Sequence, residues 1–274
     1  MSDLVPILKW AGGKRQLLPQ IIPLVPSDFK RYYEPFVGAG AVLFELHPET
    51  AVINDTNAEL INVYTVIREQ PDELIRILEG YDESHCKEFY YEIRDLDRDK
   101  EAFENLPDLE KAARTIYLNR TCFNGLYRVN KQGFFNTPIG RNSVVKIVNK
   151  KGILAIHDYL VNSDIVIMNT DYKKALETVD KGDFVFLDPP YYPTNKDSFL
   201  RYDIRHFGVQ AQEELKKLCD SLTERGIRFI ETNSDCDEIK ELYSDYNQLE
   251  VDVRRCINAR SDGRRGKELI ISNY

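Results

Sequence analysis

A chain of 274 residues, 42% hydrophobic and 30% charged, has ordinary soluble globular composition and is long enough to bury a substantial core, as one large domain or a core with an insertion. The N-terminal MSDLVPILKW has no basic region ahead of a long apolar run, and no stretch approaches membrane-spanning length. A cytosolic protein is therefore expected, while the net charge of −8, taken alone, argues against a nucleic-acid partner.

In chain order, the first punctuated segment is KWAGGK, Lys9 to Lys14. A phosphate loop needs a glycine five residues before its Gly-Lys pair and a Ser or Thr after it; here Ile7 or its neighbour and Arg15 stand there, so ATP hydrolysis is set aside. A glycine turn flanked by Lys9, the lone tryptophan Trp10 and Lys14 remains, to be read as a surface turn or as part of a site. A strand over Arg31–Pro35 then leads into EPFVGAGAVLFEL, where Gly38 and Gly40 permit a tight turn before a helix over Ala39–Leu46. Such turns present backbone N–H groups to a nucleotide-like ligand at a strand's carboxyl end, although Gly-x-Gly also serves packing. The next strand, Ala51–Asn54, ends at Asp55. A carboxylate there can accept both ribose hydroxyls of an adenosine cofactor, or can cap the following helix, Ala58–Gln70. The pair of motifs favours an adenosine cofactor without separating NAD from S-adenosylmethionine.

The strand–helix alternation then breaks between about Val63 and His157. Acids dominate from Pro71 to Glu110, but Lys111 to Lys151 contains no Asp or Glu and carries Lys111, Arg114, Arg120, Arg128, Lys131, Arg141, Lys146, Lys150 and Lys151. We read this as an inserted domain with a polyanion-binding surface; the alternative is a solvated basic face. Inside it, YRVNKQGFFN is a strand-turn-strand pattern with Asn130, Lys131, Gln132 and Gly133 at the turn. Alternation resumes with strands Ile165–Asn169, Phe184–Leu187 and Arg228–Glu231 and a helix Val209–Arg225. The closing runs Leu249–Arg254 and Leu269–Ser272 leave no room for a helix and predict an antiparallel edge hairpin. A second basic cluster, Arg254, Arg255, Arg260, Arg264, Arg265 and Lys267, is diluted only by Asp262. The fold class is therefore α/β, a doubly wound, mostly parallel sheet, expected to have seven strands. Five cysteines and four histidines are scattered without metal-ligand spacing, so reduced thiols and no metal are expected.

The segment FVFLDPPYYP carries the chemistry. Phe184–Leu187 is the apolar run of a strand buried on both faces, and Asp188, Pro189, Pro190 and Tyr191 follow at its mouth. An exocyclic aromatic amine is a poor nucleophile because its lone pair is delocalised. Acceptors offered to its two N–H bonds draw the nitrogen toward a tetrahedral shape. Asp188 supplies a carboxylate and Pro189 a carbonyl, the prolines fix the backbone without competing donors, and Tyr191 gives a face for a planar base. The rate gain comes from positioning and electrostatics, with no metal or covalent intermediate.

With these motifs in hand, the chain resembles the DNA adenine-N6 methyltransferases of the Dam type (the alpha group, with a DPPY motif), over nearly its whole length. The resemblance rests on KWAGGKRQLLP, EPFVGAGAVLFEL, INDTNAELINVY, RTCFNGLYRVNKQGFFNTPIGR and FLDPPY, in that order. It implies a methyltransferase fold with a catalytic, S-adenosylmethionine-binding domain over residues 1–63 and 157–274. A mainly helical target-recognition domain, carrying the β-hairpin, is inserted at residues 64–156. It further implies S-adenosylmethionine contacts at Trp10, Lys14, Phe36, Gly38, Gly40, Asp55, Asp171 and Asp188. Asp171 could equally be a helix cap. Double-stranded DNA would be held by Lys9, Arg120, Phe123, Asn124, Leu126 and Arg128, with Arg128 reading a guanine and Leu126 a thymine methyl. The target adenine would be flipped toward Asp188. GATC is the expected site, with GATATC as the related alternative, and a cognate restriction endonuclease is a further expected partner. Competing readings are a nicotinamide-dependent oxidoreductase, an inactive DNA-binding regulator, and the same chemistry on RNA or a protein amide.

Overall fold

The computed structural model describes residues 4–141, 145–193, 207–254 and 265–274. Its helices, in chain order, are α1 (Leu18–Ile21), α2 (Ala41–Leu46), α3 (Ala58–Glu69), α4 (Pro71–Glu83), α5 (Lys87–Asp95) and α6 (Lys100–Glu104). They continue with α7 (Asp108–Thr121), α8 (Lys150–Asn162), α9 (Tyr172–Ala175), α10 (Val209–Glu224) and α11 (Asp237–Leu242). Strands β1 (Tyr32–Glu34), β2 (Thr50–Asn54), β3 (Asp164–Met168), β4 (Phe184–Leu187), β5 (Arg228–Ser234), β6 (Asn247–Arg254) and β7 (Arg265–Ser272) form a sheet ordered β3-β2-β1-β4-β5-β7-β6.

The expected seven-stranded α/β sheet is present, and it is mixed. β1 pairs in parallel with β2 and β4, and β4 with β5, whereas β7 runs antiparallel to both β5 and β6. The predicted edge hairpin thus joins the sheet through its second strand. β5 continues three residues beyond the predicted Glu231, through Thr232, Asn233 and Ser234, all buried. A run of polar residues hid this extension, because strand reading by apolar pattern stops where the side chains turn polar.

The chain divides into two compact units, residues 1–14, 38–47 and 57–169, and residues 15–37, 48–56 and 170–274. In the first, α3 and α7 bury their apolar faces, and Asn57 caps α3 by accepting from the Leu60 N–H at 3.0 Å. Arg114 of α7 is wholly buried, which corrects its place in the basic surface read from the sequence. It donates to the carbonyls of Ile93 (3.0 Å) and Arg94 (2.8 Å), and pairs with Asp97 (2.8 Å) and Glu59 (3.3 Å). The same Asp97 accepts the Phe135 N–H at 2.7 Å, and buried Tyr90 donates to the Thr137 carbonyl at 2.8 Å. Together these polar groups tie the YRVNKQGFFN hairpin to the helices.

The hairpin itself is a single antiparallel bridge between Val129 and Phe135, flanked by hydrogen bonds rather than a full pair of strands. Its turn has Gly133 at φ 87°, the left-handed conformation foreseen for it. In the second unit, β4 is buried along its whole length, matching its continuous apolar run. Arg255, Arg260, Asp262 and Arg264 of the second basic cluster lie outside the described residues. Lys267 is ion-paired with Glu250 on the neighbouring strand at 2.7 Å. Among the described residues no helix is long and apolar enough to cross a membrane.

Candidate active site

In the first unit the glycine turn ahead of α2 is built as its sequence requires. Gly38 and Gly40 take φ of 50° and 73°, and a methyl group at Gly40 would stand 2.8 Å from the Tyr64 hydroxyl oxygen. Tyr64 donates to the Gly38 carbonyl at 2.9 Å, so one buried phenol locks the turn from behind. Trp10 lies across its front, its indole Cδ1 3.1 Å from where a Gly38 side chain would begin, and stacks on Tyr127 with ring centroids 5.1 Å apart. Lys14 is 4% exposed and donates to the Gly12 carbonyl, so KWAGGK is more than a surface turn. Trp10, Gly38 and Gly40 are thereby brought together; Tyr64 and Tyr127 were invisible to motif reading because their roles arise only on packing.

In the second unit a single buried amide organises the strand tips. Asn54, at the end of β2, donates to the carbonyls of Pro35 (2.9 Å) and Thr170 (3.0 Å) and accepts the Thr170 N–H (2.9 Å). This fastens the loop carrying Phe36 to the loop carrying Asp171, with Asp55 next along the chain. Phe36 packs on Tyr172 at 5.2 Å between ring centroids. Asp171 is exposed and caps α9, accepting the Lys173 N–H at 2.8 Å, so the alternative role foreseen for it is realised. The cap of α3 is Asn57, not Asp55.

The Asp-Pro-Pro-Tyr turn is clamped at almost every residue. Thr232 of β5 donates to Asp188 Oδ1 at 2.9 Å, and Gln212 of α10 donates to the Pro190 carbonyl at 2.9 Å. Tyr191 donates to Glu268 of β7 at 2.7 Å. Its phenol is held well above its ordinary pKa by burial first, then by the charges of Asp188 and Glu268, and so stays a donor. The Tyr192 N–H is accepted by Asn233 at 3.1 Å, and its carbonyl receives the Ser234 hydroxyl at 2.6 Å. None of these β5, β7 and α10 partners was identified from the sequence. Two signals were available: four successive polar residues, ETNS, and a glutamine on the buried stripe Gln212, Leu215, Cys219, Leu222.

Behind this clamp sits Glu231, wholly buried, its carboxyl pushed up to about 7 by burial against Tyr243, Asn233 and Cys219, which pull it down. A folded pKa raised above 4.5 means that its contribution to stability is full below 4.5, declines as pH rises and is lost above about 7. Glu231→Gln is neutral at every pH. It is therefore expected to melt roughly 5 °C above the wild type at pH 8, with most of that gap closed by pH 5. Melting curves at the two pH values check this; an equal gap at both would show that Glu231 does not titrate in this range.

The predicted DNA-contacting residues lie in the first unit. Buried Asn119, another residue missed from sequence, accepts the Lys9 N–H (2.8 Å) and donates to the carbonyls of Lys9 (2.7 Å) and Gly125 (3.1 Å). It thereby sets Lys9 against the turn Phe123–Gly125. In that turn Asn124 adopts φ 57°, and Phe123 is 42% exposed although it is a large apolar side chain. Leu126 is half-buried, its carbonyl receiving the Thr137 hydroxyl at 2.7 Å. Arg128 is exposed, its Nε bonded to Asn136 Oδ1 at 2.7 Å and one terminal nitrogen to the Asn136 carbonyl at 3.3 Å. Arg120 is half-buried with no ion pair among the described residues. Its Nε has no hydrogen-bond partner, and burial lowers its pKa.

Comparison with known proteins adds an independent line. The family described as D12 class N6 adenine-specific DNA methyltransferase matches residues 10–257. A type II methyltransferase, M1.LlaDCHI of Lactococcus lactis subsp. cremoris, is 42% identical over 275 residues, covering 99% of this chain and 96% of the relative. M.MjaIII, a type II methyltransferase of Methanocaldococcus jannaschii, is 38% identical over 99% of this chain and all of its own. The DNA adenine methylase of Escherichia coli K12 is 30% identical over 97% of this chain and 94% of its own.

Proposed function

The chain belongs to the D12 class N6 adenine-specific DNA methyltransferases, and on that premise we propose that it methylates N6 of an adenine flipped out of double-stranded DNA, within GATC. The observation that carries the reading is the tip of β4, where Asp188 is held by Thr232 at the end of a fully buried strand. Asp188 and the Pro189 carbonyl accept the two amino N–H bonds, and Tyr191 offers its face to the base. Pro190 stiffens the turn, its carbonyl accepting from Gln212 at 2.9 Å.

S-adenosylmethionine supplies a methyl group on a positively charged sulfur. In the second unit the half-buried carboxylates of Asp55 and Asp188 at the strand tips are acceptors of the kind the hydroxyl and amino groups of such a cofactor need. Trp10, Lys14, Phe36, Gly38, Gly40, Asp55, Asp171 and Asp188 are the residues proposed to bind it. Residues 64–156 are proposed as the target-recognition domain, inserted in a catalytic domain of residues 1–63 and 157–274. From residues 64–156, Arg120 holds a phosphate, Arg128 reads a guanine, Leu126 meets a thymine methyl, and Phe123 and Asn124 occupy the space of the extruded base, while Lys9, outside that range, touches a further guanine. The type II names of two relatives support a cognate restriction endonuclease as partner.

The test is incubation with methyl-labelled cofactor and duplexes differing at one base. Label confined to the GATC duplex supports the reading, label confined to GATATC moves the site, and no label in any adenine-containing duplex rejects it. Arg128→Ala is expected to relax discrimination at the outer guanine by about 1–3 kcal/mol, or roughly ten- to a hundredfold in kcat/KM ratio between cognate and substituted duplexes. An unchanged ratio would remove Arg128 from base reading.

A further inference from the structure

Two buried amide side chains stand behind the Asp-Pro-Pro-Tyr turn, and their hydrogen bonds leave no choice of orientation. Asn233, 0% exposed, accepts two backbone N–H groups at Oδ1, from Tyr192 (3.1 Å) and Ser234 (2.8 Å). Backbone N–H groups only donate, so the oxygen must face them. Its Nδ2 therefore faces Gln212 Oε1 and Glu231 Oε1, at 3.0 Å each. Gln212, 1% exposed, has then spent its oxygen, and its Nε2 meets the Pro190 carbonyl, which can only accept. A flipped Gln212 would set oxygen against oxygen at Pro190 and donor against donor at Asn233. The polarity of the whole chain is set by backbone groups at its two ends.

Resting on the proposed methyltransferase reading, we propose that Gln212, oriented by Asn233, is a positioning residue. It binds the Pro190 carbonyl and fixes its direction, and so fixes the turn in which the Pro189 carbonyl and Asp188 present the two acceptors. The turn holds two adjacent proline carbonyls, and a donor that occupies one of them orients both through the stiff proline backbone, which has no N–H of its own to do so. Gln212 reaches it from the first turn of α10, a rigid element packed on the sheet, which is the placement a positioning group requires.

The sharpest variant is Gln212→Glu, which keeps the shape and exchanges the donor for an acceptor. When ionised, its carboxylate faces the Pro190 carbonyl with no proton to offer. When protonated, it restores a donor. Glu231 of β5 is linked to position 212 through Asn233 Nδ2, 3.0 Å from each, and Asp188, Cys219 and Tyr243 act on Glu231 in turn. The negative charges nearby and the burial favour the protonated form of an introduced acid.

With wild type and variants assayed by label transfer into the duplex the wild type methylates, Gln212→Leu is expected to lower kcat about ten- to a hundredfold. KM for S-adenosylmethionine should stay within twofold. For Gln212→Glu, the ratio of its kcat to the wild type's is expected to climb at least severalfold from pH 8 to pH 6, while that of Gln212→Leu stays flat. If Gln212→Leu fails to fold, Gln212→Met, closer in length and flexibility, replaces it. A Gln212→Glu ratio flat with pH, or either variant within twofold of wild-type kcat, overturns the inference. A wild type that labels no duplex instead overturns the function on which it rests.

Discussion

Asp188→Ala is expected to lower single-turnover label incorporation by roughly 10²–10³-fold or more, while the affinity for duplex DNA stays within a few-fold of the wild type. The carboxylate is one of two proposed acceptors for the adenine amino group. Losing it leaves the nitrogen lone pair in the ring and leaves the Thr232 hydroxyl, 2.9 Å away in the wild type, without its acceptor. The surrounding clamp survives, because Gln212, Asn233, Ser234 and Glu268 hold Pro190, Tyr191 and Tyr192 through bonds that do not involve position 188. Duplex affinity survives for a different reason. The proposed DNA-contacting side chains, Arg120, Phe123, Leu126 and Arg128 among them, lie elsewhere in the chain. Label transfer and gel-shift titration on one duplex separate the two effects. Activity within tenfold of wild type would remove Asp188 from the chemistry, and a matching loss of DNA affinity would make it a structural residue instead.

Arg114→Met is expected to destabilise the first unit by about 3–5 kcal/mol, enough to unfold it at or near physiological temperature. The substitution keeps much of the apolar stem but removes every donor of a wholly buried guanidinium. Asp97, its side chain 6% exposed, loses the partner at 2.8 Å, and the carbonyls of Ile93 and Arg94 lose theirs. Because Asp97 also holds the Phe135 N–H, the hairpin is expected to loosen with the helices. Exposed Lys150→Ala, from the same acid-free run, should change stability by no more than about 0.5 kcal/mol. Denaturant unfolding of both variants tests the contrast. A cost near that of Lys150→Ala would show that Arg114 holds no network together.

These two residues also mark where sequence reading succeeds and where it stops. Asp188 stood out because its neighbours are extreme: four apolar residues before it, two prolines and a tyrosine after it. Arg114 looked like one more cation in a run without acids. Of its partners, Asp97 lies in the acid-rich stretch Pro71 to Glu110 and Glu59 in the helix read over Ala58–Gln70, and neither was matched to it. Nothing local distinguishes a buried arginine from an exposed one when the acids that neutralise it are 55 residues away along the chain, as Glu59 is.

The sequence by itself determined the alternation of strands and helices, the buried β4 with the Asp-Pro-Pro-Tyr turn after it, the glycine turn with Asp55 beyond it, and the antiparallel edge. All of these are written in apolar periodicity and in the backbone habits of glycine and proline, which act over a few residues. Only the tertiary structure decided that Asn54 ties two strand tips together, that Asn119 seats Lys9, that Arg114 is core and not surface, and that Gln212 and Asn233 claim the second proline carbonyl. Each of those is a hydrogen bond whose partner is chosen by sheet register and helix packing, and amides and charges carry no local pattern that names a partner far away in the chain.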